Sequence, residues 1–410
     1  MDIASIDEFD VAGKRVLLRV DINSPLDPET KRISNENRLN KSIPTIADLA
    51  AAGARLVIIA HQGDVLDYHN LITTEEHADK LSEKLGRPVA FIDDVAGPAA
   101  RARITELQDG EILLLDNIRI YGEELSSFEL AVKQTPAEMT QTYLVRHLAP
   151  LFDLYVNDAF AAAHRNAPSM VAFQELLPSA GGRLLIREVE MLQSVAVDPK
   201  RPCVFALGGL KISDAFSMMS QVLSQGTADL VITSGVTGEI MLLASGHSLG
   251  SGSENFVSDR GLETFVPIAK DYLERFPGQI LTPTDVAIDD AGRHELPVTA
   301  LPVDDLIIDI GEETIARYEE ILAGAQTIFV NGPPGIYERE EGAEGTRRLW
   351  NAVAASSGTT VIGGGDTVAS AAAFVDLDDI SYVSTGGGAL VRYLSGAELP
   401  LLKAMRRRDG

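Results

Sequence analysis

Residues 359–369, TTVIGGGDTVA, decide the fold class of this chain. The first four residues are β-branched and apolar, which predicts a short buried parallel strand. Three glycines (363–365) then permit a sharp turn and a close approach of the backbone to a ligand. Asp366 and Thr367 are typical N-cap residues, and the residues behind them favour a helix. A strand, a glycine turn and a helix start together form an anion site from free backbone N–H groups.

Asp366 adds a carboxylate to this anion site. Beside a polyphosphate, a carboxylate normally needs Mg²⁺ between the two groups, because bare negative charges repel each other. The turn therefore indicates a site for a nucleotide with its metal. The alternative is a tight turn between strand and helix in which the aspartate only caps the helix, since a single glycine motif is weak evidence of nucleotide binding.

The size and charge of the chain limit its class. Its 410 residues exceed one hydrophobic core, which predicts two domains. Asp and Glu number 60 against 35 Lys and Arg, a formal net charge of −25, so the surface repels nucleic acid and anionic membranes. The one cysteine, Cys203, excludes a disulfide framework. The N-terminus shows no signal peptide and the apolar runs are too short for a membrane span, so a cytoplasmic protein is expected.

Apolar runs alternate with helical spacing in both halves of the chain. In the first half, KRVLLRVD predicts a strand, residues 39–52 a helix, EEHADKLSEKLG a helix that stops at Gly86, and residues 123–147 a largely helical stretch. In the second half the predicted strands are CVFALGG, ADLVITSG, QILTPTDVAI, TIFVNGPPG, TTVIGGGDT and SYVSTGGGA. This alternation predicts an α/β protein with parallel sheets that have helices on both faces.

The stretch 168–192 breaks the alternation and ends in a longer helix, which we interpret as an interdomain connection. The predicted fold consists of two Rossmann-like lobes, each a parallel sheet flanked by helices, joined by a hinge helix. The first lobe is predicted over 1–178, the hinge helix over 179–195 and the second lobe over 196–390. The tail after Gly388 is predicted to be helical.

Ligands of open parallel sheets bind beyond the carboxyl ends of the strands. In the second half these positions carry GGLK (208–211), NGPPG (331–335) and GGGDT (363–367). Glycines, one lysine and one aspartate are the components of a site for a nucleotide polyphosphate with Mg²⁺.

The strand-end loops of the first half carry a different set of residues: Asp21, Asn23, Arg38, His61, Arg119, His164 and Arg165. Three arginines in so acidic a chain indicate an anionic substrate, because guanidinium groups match carboxylates and phosphates. Structural alternatives exist as well. Arg119 would pair with Asp116 or Glu123, Lys211 would be a surface lysine, and His61 and His164 would be core histidines.

Eight motifs, in this order, resemble those of the phosphoglycerate kinase family in its archaeal form. They are RVDIN (19–23), AHQG (60–63), LLDNIR (114–119), NDAFAAAHR (157–165), GGLKISD (208–214), NGPPGIYE (331–338), IGGGDT (362–367) and STGGGA (384–389). The resemblance covers essentially the whole chain. It implies a cytoplasmic glycolytic and gluconeogenic enzyme that moves a phosphoryl group reversibly between ATP and the carboxylate of 3-phosphoglycerate, with Mg²⁺.

The resemblance also implies roles for individual residues. In the first lobe, 3-phosphoglycerate would be held by Asp21, Asn23, Arg38, His61, Arg119 and Arg165. In the second lobe, ATP or ADP would be held by Gly209, Lys211, Asn331, Pro333, Glu338, Gly363, Gly364, Gly365, Asp366 and Thr367, with Glu338 on the ribose and Asp366 on Mg²⁺. Catalytic roles would fall to Arg38, Lys211, Gly364 and Gly387.

The resemblance extends to the architecture and the partners. The C-terminal helix (391–410) would pack back on the first lobe. Closure of the lobes, about the connecting helix and the glycines of STGGGA, would bring the two substrates together. A monomer is expected, with a dimer as the alternative, and neither nucleic acid nor a membrane is an expected partner.

Three places depart from the family pattern. Asp64 stands where the family has an arginine, and Ala215 where it has a lysine that helps to neutralise the transferring group. Residues 234–239 (SGVTGE) replace a GGMAFTF segment beside the adenine pocket. Two alternatives therefore stay open: a related kinase for another phosphorylated acid, and a nucleotide-binding regulatory protein without turnover.

Overall fold

A computed structural model describes residues 2–63 and 68–406 of the chain. The chain divides into two compact units: unit 1 is Met1–Glu190 with Glu398–Gly410, and unit 2 is Met191–Ala397. The sequence places the lobe boundaries at residues 178 and 390 instead. Within the described residues, no helix combines the length and the apolar character that crossing a bilayer requires.

Unit 1 is built around a six-stranded parallel sheet. Its strands are β1 (Arg15–Arg19), β2 (Arg55–Ile59), β3 (Val89–Ile92), β4 (Ile112–Leu115), β5 (Leu154–Asn157) and β6 (Ser179–Gly181), in the order β3-β4-β2-β1-β5-β6. Its helices are α1 (Asn37–Ala51), α2 (Glu75–Leu85), α3 (Pro98–Glu106), α4 (Ser126–Ala131), α5 (Pro136–Met139), α6 (Tyr143–Leu148), α7 (Pro168–Val171) and α8 (Arg183–Ala196), of which α8 continues into unit 2.

Unit 2 contains a second six-stranded parallel sheet. The strands are β7 (Cys203–Leu207), β8 (Leu230–Thr233), β9 (Ile280–Leu281), β10 (Asp285–Asp289), β11 (Arg293–Pro297), β12 (Ile307–Ile310), β13 (Thr327–Asn331), β14 (Thr359–Ile362) and β15 (Tyr382–Val383). The parallel sheet has the order β15-β14-β13-β7-β8-β9. The helices are α9 (Ile212–Ser224), α10 (Gly235–Ala244), α11 (Ser251–Asp259), α12 (Val266–Arg275), α13 (Glu312–Gly324), α14 (Glu344–Ala354), α15 (Gly365–Ala372) and α16 (Gly387–Leu394), and α17 (Pro400–Met405) lies in unit 1.

Each parallel sheet is buried on both faces, as runs of consecutive apolar residues predict. In β1, Val16, Leu17 and Leu18 have no exposed surface, and Leu17 pairs with Val57 of β2 in parallel register. In unit 2, every residue of β13 is buried. The two parallel sheets with their helices confirm the predicted α/β class with two lobes. The end of α2 is confirmed as well, since Gly86 caps it with a left-handed φ of 62°.

The prediction that QILTPTDVAI forms one strand of the parallel series is wrong. Ile280–Leu281 completes the parallel sheet, whereas β10 pairs antiparallel with β11 and β12 in a separate three-stranded sheet. Pro283 falls between the two strands, where its missing N–H and fixed φ interrupt the ladder. The polar sequence of β11, RHELP, leaves only Leu296 buried, so hydrophobic alternation gives little signal of this strand.

The prediction of a largely helical stretch over 123–147 is also wrong. A 3-10 turn at Gly122–Glu124 and the three short helices α4, α5 and α6 occupy this region. Local capping divides it, because Thr135 forms a capping box with Glu138 immediately before Pro136. Each new N-terminus stops the helix before it from continuing.

Two further boundaries differ from the prediction. Residues 179–181, placed at the start of the hinge helix, form strand β6 beside β5, and α8 begins at Arg183. The tail 391–410 is not one helix: α16 ends at Leu394, and α17 begins at Pro400 after a turn in which Gly396 has φ 83°. Helix α17 belongs to unit 1, where the Leu401 amide donates to the carbonyl of Ala163 (3.1 Å).

Phe329→Ala tests the packing of unit 2. Phe329 is fully buried and its ring lies 5.1 Å from that of Phe205, so truncation should cost about 3–5 kcal/mol of unfolding free energy. Trp350, the only tryptophan, is fully buried in the same unit, so its fluorescence during urea unfolding is the measurement. Leu130→Ala, at a side chain that is 72% exposed, is the control. A Phe329 variant within about 1 kcal/mol of wild type would contradict this packing.

Candidate active site

Four loops of unit 2 surround a cavity of about 420 Å³. They follow β7, β8, β13 and β14, whose carboxyl ends meet at one edge of the parallel sheet. Most residues predicted to hold a nucleotide lie in its wall: Gly209, Lys211, Asn331, Pro333, Glu338, Gly364, Asp366 and Thr367. Gly363 precedes Gly364 in the loop and Gly365 begins α15, and neither belongs to the lining.

Glycine contacts bring the loops after β7 and β13 together. Gly209 and Gly332 have φ values of 72° and 87°, a left-handed region that favours glycine. A Cβ on Gly332 would lie 2.3 Å from the carbonyl oxygen of Gly208. Any side chain there would push the loops apart, so this wall of the cavity requires glycine.

A second glycine contact fixes the start of α15. Gly364 has φ 100° and caps the helix, and a Cβ on Gly387 would lie 2.6 Å from the Gly364 Cα atom. The prediction that Asp366 and Thr367 are N-caps is therefore wrong, because both lie inside the first turn. The Thr367 hydroxyl instead accepts a hydrogen bond from the Gly332 amide (3.0 Å), which ties the helix start to the loop after β13.

Lys211 and Asp366 form an ion pair beside the cavity, with Nζ and Oδ2 3.1 Å apart. The side chains are 63% and 73% exposed, and an exposed pair of this kind contributes at most about 1 kcal/mol. Both groups can therefore exchange partners at low cost when a phosphate or a cation arrives. Asp366 provides one exposed carboxylate for a metal.

No group of three or more potential metal-binding side chains exists among the residues described. Mg²⁺ commonly binds through one or two carboxylates together with the phosphates of a substrate. Asp366 at the start of α15 fits that mode, in which the nucleotide supplies further ligands, and does not fit a metal held by protein side chains alone.

One end of the cavity is apolar. Its lining includes Val236, Leu242, Phe256, Pro283, Val286 and Leu306. Flat, uncharged ring systems suit such a surface. Val236 and Leu242 share a face of α10 with Glu239, which also lines the cavity, because residues three positions apart lie on one side of a helix.

Glu239 is a buried acid that is not among the predicted site residues, although it ends the SGVTGE departure. Burial raises the pKa of Glu239 to about 8, against the opposing effect of a hydrogen bond from Ser253. Its Oε2 atom has no hydrogen-bond partner in the described part of the chain. At pH 7 the carboxyl is therefore mainly protonated, and this end of the cavity stays uncharged.

Of the other two departures from the family pattern, the structure describes only one. Ala215 lies in α9 with no exposed surface, so its methyl group packs in the interior and brings no charge to the cavity. Asp64 lies outside the described residues.

In unit 1, the predicted substrate residues follow β1, β2, β4 and β5. The Arg38 Nη1 atom donates to the Asp21 carboxylate at 2.7 Å. Burial is the largest influence on the pKa of Asp21 and acts to raise it, but the neighbouring positive charges, Arg38 first, together with the Asn23 amide outweigh burial, and the pKa falls to about 2. Asp21 is therefore ionised throughout the neutral range, and it orients the Arg38 guanidinium group.

His61 and Asn23 complete the cluster at the ends of β1 and β2. The Arg19 Nη2 atom lies 2.9 Å from the His61 Nδ1 atom, and burial lowers the pKa of His61 well below its usual value. The Asn23 Oδ1 atom accepts from the Gly63 amide (2.9 Å), and the Arg119 guanidinium donates to the Gly63 carbonyl. The cluster is therefore cross-linked through the loop after β2.

Arg165 has a partner that the sequence does not identify. Its Nε atom lies 2.6 Å from Oε2 of Glu129. Its charge acts on Arg19, while the charges of Arg38 and Arg119 act on His61, so each of the three predicted arginines influences one of these two residues. Arg19 is not among the predicted site residues, because an arginine inside a predicted strand normally indicates a solvent-facing position.

Glu239→Gln tests the buried acid. Because the pKa in the folded state is about 8 against an ordinary 4.5, the carboxyl ionises first in the unfolded state, so the wild-type protein loses stability progressively from pH 4.5 to 8 and no further above pH 8. The variant should therefore gain stability over wild type by about 1.4 kcal/mol per pH unit in that window. Urea unfolding, followed by Trp350 fluorescence from pH 5.5 to 9, measures the difference. Glu274→Gln, at an exposed position, should show no trend, and parallel profiles for Glu239→Gln and wild type would contradict the assignment.

Comparison with known proteins identifies the family of this chain. The family model described as phosphoglycerate kinase matches residues 6–397. The phosphoglycerate kinase of Methanothermobacter thermautotrophicus is 42% identical over 402 residues, which cover 98% of this chain and 96% of the relative. The enzyme of Thermococcus kodakarensis is 42% identical over 409 residues with the same coverage.

Solved structures give the same result. The crystal structure of phosphoglycerate kinase from Pyrococcus horikoshii OT3 matches with a TM-score of 0.86 at 37% identity, and 98% of each chain is covered. The structure of phosphoglycerate kinase from Coxiella burnetii matches with a TM-score of 0.84 at 30% identity. The chain therefore belongs to the phosphoglycerate kinase family, whose members transfer a phosphoryl group between ATP and the carboxylate of 3-phosphoglycerate.

Proposed function

We propose that this chain performs the family reaction with the nucleotide in the unit 2 cavity and 3-phosphoglycerate on the unit 1 cluster. One observation carries the nucleotide assignment: a single cavity combines an apolar end, two glycine contacts, a helix start and the exposed Lys211–Asp366 pair. The match over nearly the whole chain to named phosphoglycerate kinases disfavours a non-catalytic nucleotide-binding protein and a kinase for another acid.

The reaction requires little proton chemistry. The acceptor is a carboxylate, whose ordinary pKa of about 3.5–4 leaves it ionised at pH 7, so it needs no general base. The task is to bring two polyanions together and to stabilise the transferring group electrostatically. Since Ala215 brings no charge, this role falls to Lys211 and Arg38.

Each group in the nucleotide cavity has a role in this proposal. The N-terminal amides of α15 and the Lys211 ammonium hold the phosphates, and the apolar end near Val236 holds the base. Asp366 would hold a phosphate-bound Mg²⁺, which neutralises charge on the phosphate oxygens. Lys211 would then exchange its contact with Asp366 for a contact with a phosphate.

The remaining assignments are part of the same proposal. In unit 1, Asp21, Asn23, Arg38, His61, Arg119 and Arg165 hold the acid, and in unit 2 Gly387 supports the helix start through Gly364. The family reaction supports a cytoplasmic enzyme with ATP, ADP and 3-phosphoglycerate as its partners. Hinge motion about α8 stays a prediction, as does the monomeric state.

Arg38→Ala tests the acceptor site. Arg38 would stabilise charge during transfer, so its loss should lower kcat by about 10²–10³-fold. Steady-state kinetics with varied 3-phosphoglycerate and saturating MgATP measure the change, with circular dichroism to verify folding. Arg32→Ala is the matched control, because Arg32 is 73% exposed and forms its ion pair with Glu76, outside the cluster. A raised KM with unchanged kcat would show that Arg38 contributes to binding alone.

Asp366→Ala tests the metal assignment. The variant should need at least about tenfold more Mg²⁺ for half-maximal turnover, because a carboxylate ligand is lost. Its unfolding free energy should stay within about 1 kcal/mol of wild type, since the Lys211 pair is exposed. Magnesium titrations of the coupled assay give the first quantity and urea unfolding the second. Asp379→Ala, at an exposed position on another loop, is the control, and an unchanged magnesium dependence for Asp366→Ala would refute the assignment.

A further inference from the structure

Arg19 is a buried cation for which the proposed reaction has no role so far. It is the last residue of β1, and only 3% of its surface is exposed. Its Nε atom donates to the Ser169 hydroxyl (3.2 Å), Nη1 donates to the Val20 carbonyl, and Nη2 contacts His61 Nδ1 at 2.9 Å. The guanidinium group is therefore fixed on three sides.

The contact with His61 has only one possible direction. A guanidinium group has five N–H donors and no acceptor, and it stays protonated in proteins. The His61 Nδ1 atom must therefore accept, which requires that it carries no proton. The ring proton then lies on Nε2, so Arg19 selects one of the two neutral tautomers and disfavours the imidazolium form.

A buried acid stabilises Arg19 from the other side. Glu124 is 4% exposed, and its carboxylate oxygens accept from the Ser169 amide and the Ser169 hydroxyl, both at 2.7 Å. Because the only hydroxyl proton of Ser169 goes to Glu124, its lone pairs are left to accept from Arg19. Glu124, Ser169, Arg19 and His61 thus form one chain of hydrogen bonds in which every direction is determined.

The free end of this chain of hydrogen bonds is the Nε2–H group of His61. Among residues 2–63 and 68–406, the ring of His61 makes its hydrogen bond through Nδ1, to Arg19, and none through Nε2. The charged groups that act on the ring are Asp21, Arg19, Arg119 and Arg38. Burial, supported by the three arginines, lowers the pKa of His61, and Asp21 alone opposes this effect.

We propose that Arg19, anchored through Ser169 to Glu124, is a positioning residue that holds His61 as the neutral Nε2–H tautomer, so that His61 donates a hydrogen bond to the anionic acceptor without gaining charge. The inference rests on the proposed function of the unit 1 cluster. It adds that the positive charge of this site comes from arginines alone, so acidification from pH 8 to 6 does not strengthen acceptor binding through His61.

NMR of the full-length, ligand-free protein labelled with ¹⁵N-histidine tests the tautomer. Long-range ¹H–¹⁵N spectra distinguish protonated from unprotonated ring nitrogens, and the loss of one signal set in His61→Gln identifies His61. The expected result is an unprotonated Nδ1 and a protonated Nε2 from pH 5.5 to 8.5. A ring that titrates near its ordinary pKa of about 6.5, or one that carries its proton on Nδ1, would overturn the proposal.

Substitutions in the hydrogen-bond chain test the role of Arg19. Arg19→Met alone would leave the Glu124 charge buried and unbalanced, so the test combines Arg19→Met with Glu124→Gln. In this double variant His61 should show both tautomers or titrate, and the Kd for 3-phosphoglycerate, measured by calorimetry, should rise about ten- to a hundredfold. Arg19→Lys, which keeps a cation with donors only, should restore the tautomer. Arg15→Met, on the same strand, is the control and should change neither quantity.

The two readouts separate this inference from the proposed function. A wild-type protein with the expected tautomer that does not bind 3-phosphoglycerate would refute the proposed acceptor site, and with it the purpose assigned to Arg19. A wild-type protein that binds the acid, together with a double variant whose tautomer and affinity are unchanged, would refute the positioning role alone. If the double variant does not fold, the wild-type tautomer and Arg19→Lys still decide the question.

Discussion

The nucleotide cavity depends on two places where neighbouring loops approach each other so closely that only glycine, which has no side chain, fits. A Cβ on Gly332 would lie 2.3 Å from the Gly208 carbonyl oxygen, and one on Gly387 would lie 2.6 Å from the Gly364 Cα atom. Polar bonds then connect the same loops, from the Asn331 amide group to the Gly363 carbonyl (3.2 Å) and from the Gly332 amide to Thr367. These close backbone contacts hold the start of α15 and the loop that carries Lys211 on one side of the cavity.

The two candidate sites provide charge for an anion in different ways. In unit 2, Lys211 and Asp366 are paired in the exposed state, where exchange with a ligand costs little. In unit 1, Arg38 is paired with the buried Asp21, and removal of the partner of a buried charge costs several kcal/mol. A ligand at the unit 1 site should therefore add to the Asp21–Arg38 pair, whereas a ligand in the cavity should replace the Lys211–Asp366 pair.

Features that depend on local backbone chemistry could be predicted from the sequence. Glycine motifs after apolar runs indicated the parallel sheets and most of the cavity wall, because left-handed φ values and close approaches require glycine. Features that depend on tertiary burial could not. Strand β11 is polar, Arg19 resembles a solvent-facing strand residue, and Glu239 resembles a surface position of α10. Strand β11 is held by its pairing with β10, and the environments of Arg19 and Glu239 come from Glu124 with Ser169 and from Ser253, which the sequence pattern around each residue does not reveal.

Burial also determines which groups of the two sites keep a constant charge. The raised pKa of Glu239, about 8, keeps this acid mainly protonated at pH 7, and the lowered pKa of His61 keeps the imidazole neutral. Asp21 stays ionised for a different reason, because its cationic neighbours and the Asn23 amide outweigh the effect of burial and bring its pKa to about 2. The groups left to meet phosphate and carboxylate oxygens are the positively charged side chains of arginines and a lysine. In a chain of net charge −25, affinity for anions then depends on where these few cations are held, which the buried hydrogen-bond partners of each site determine.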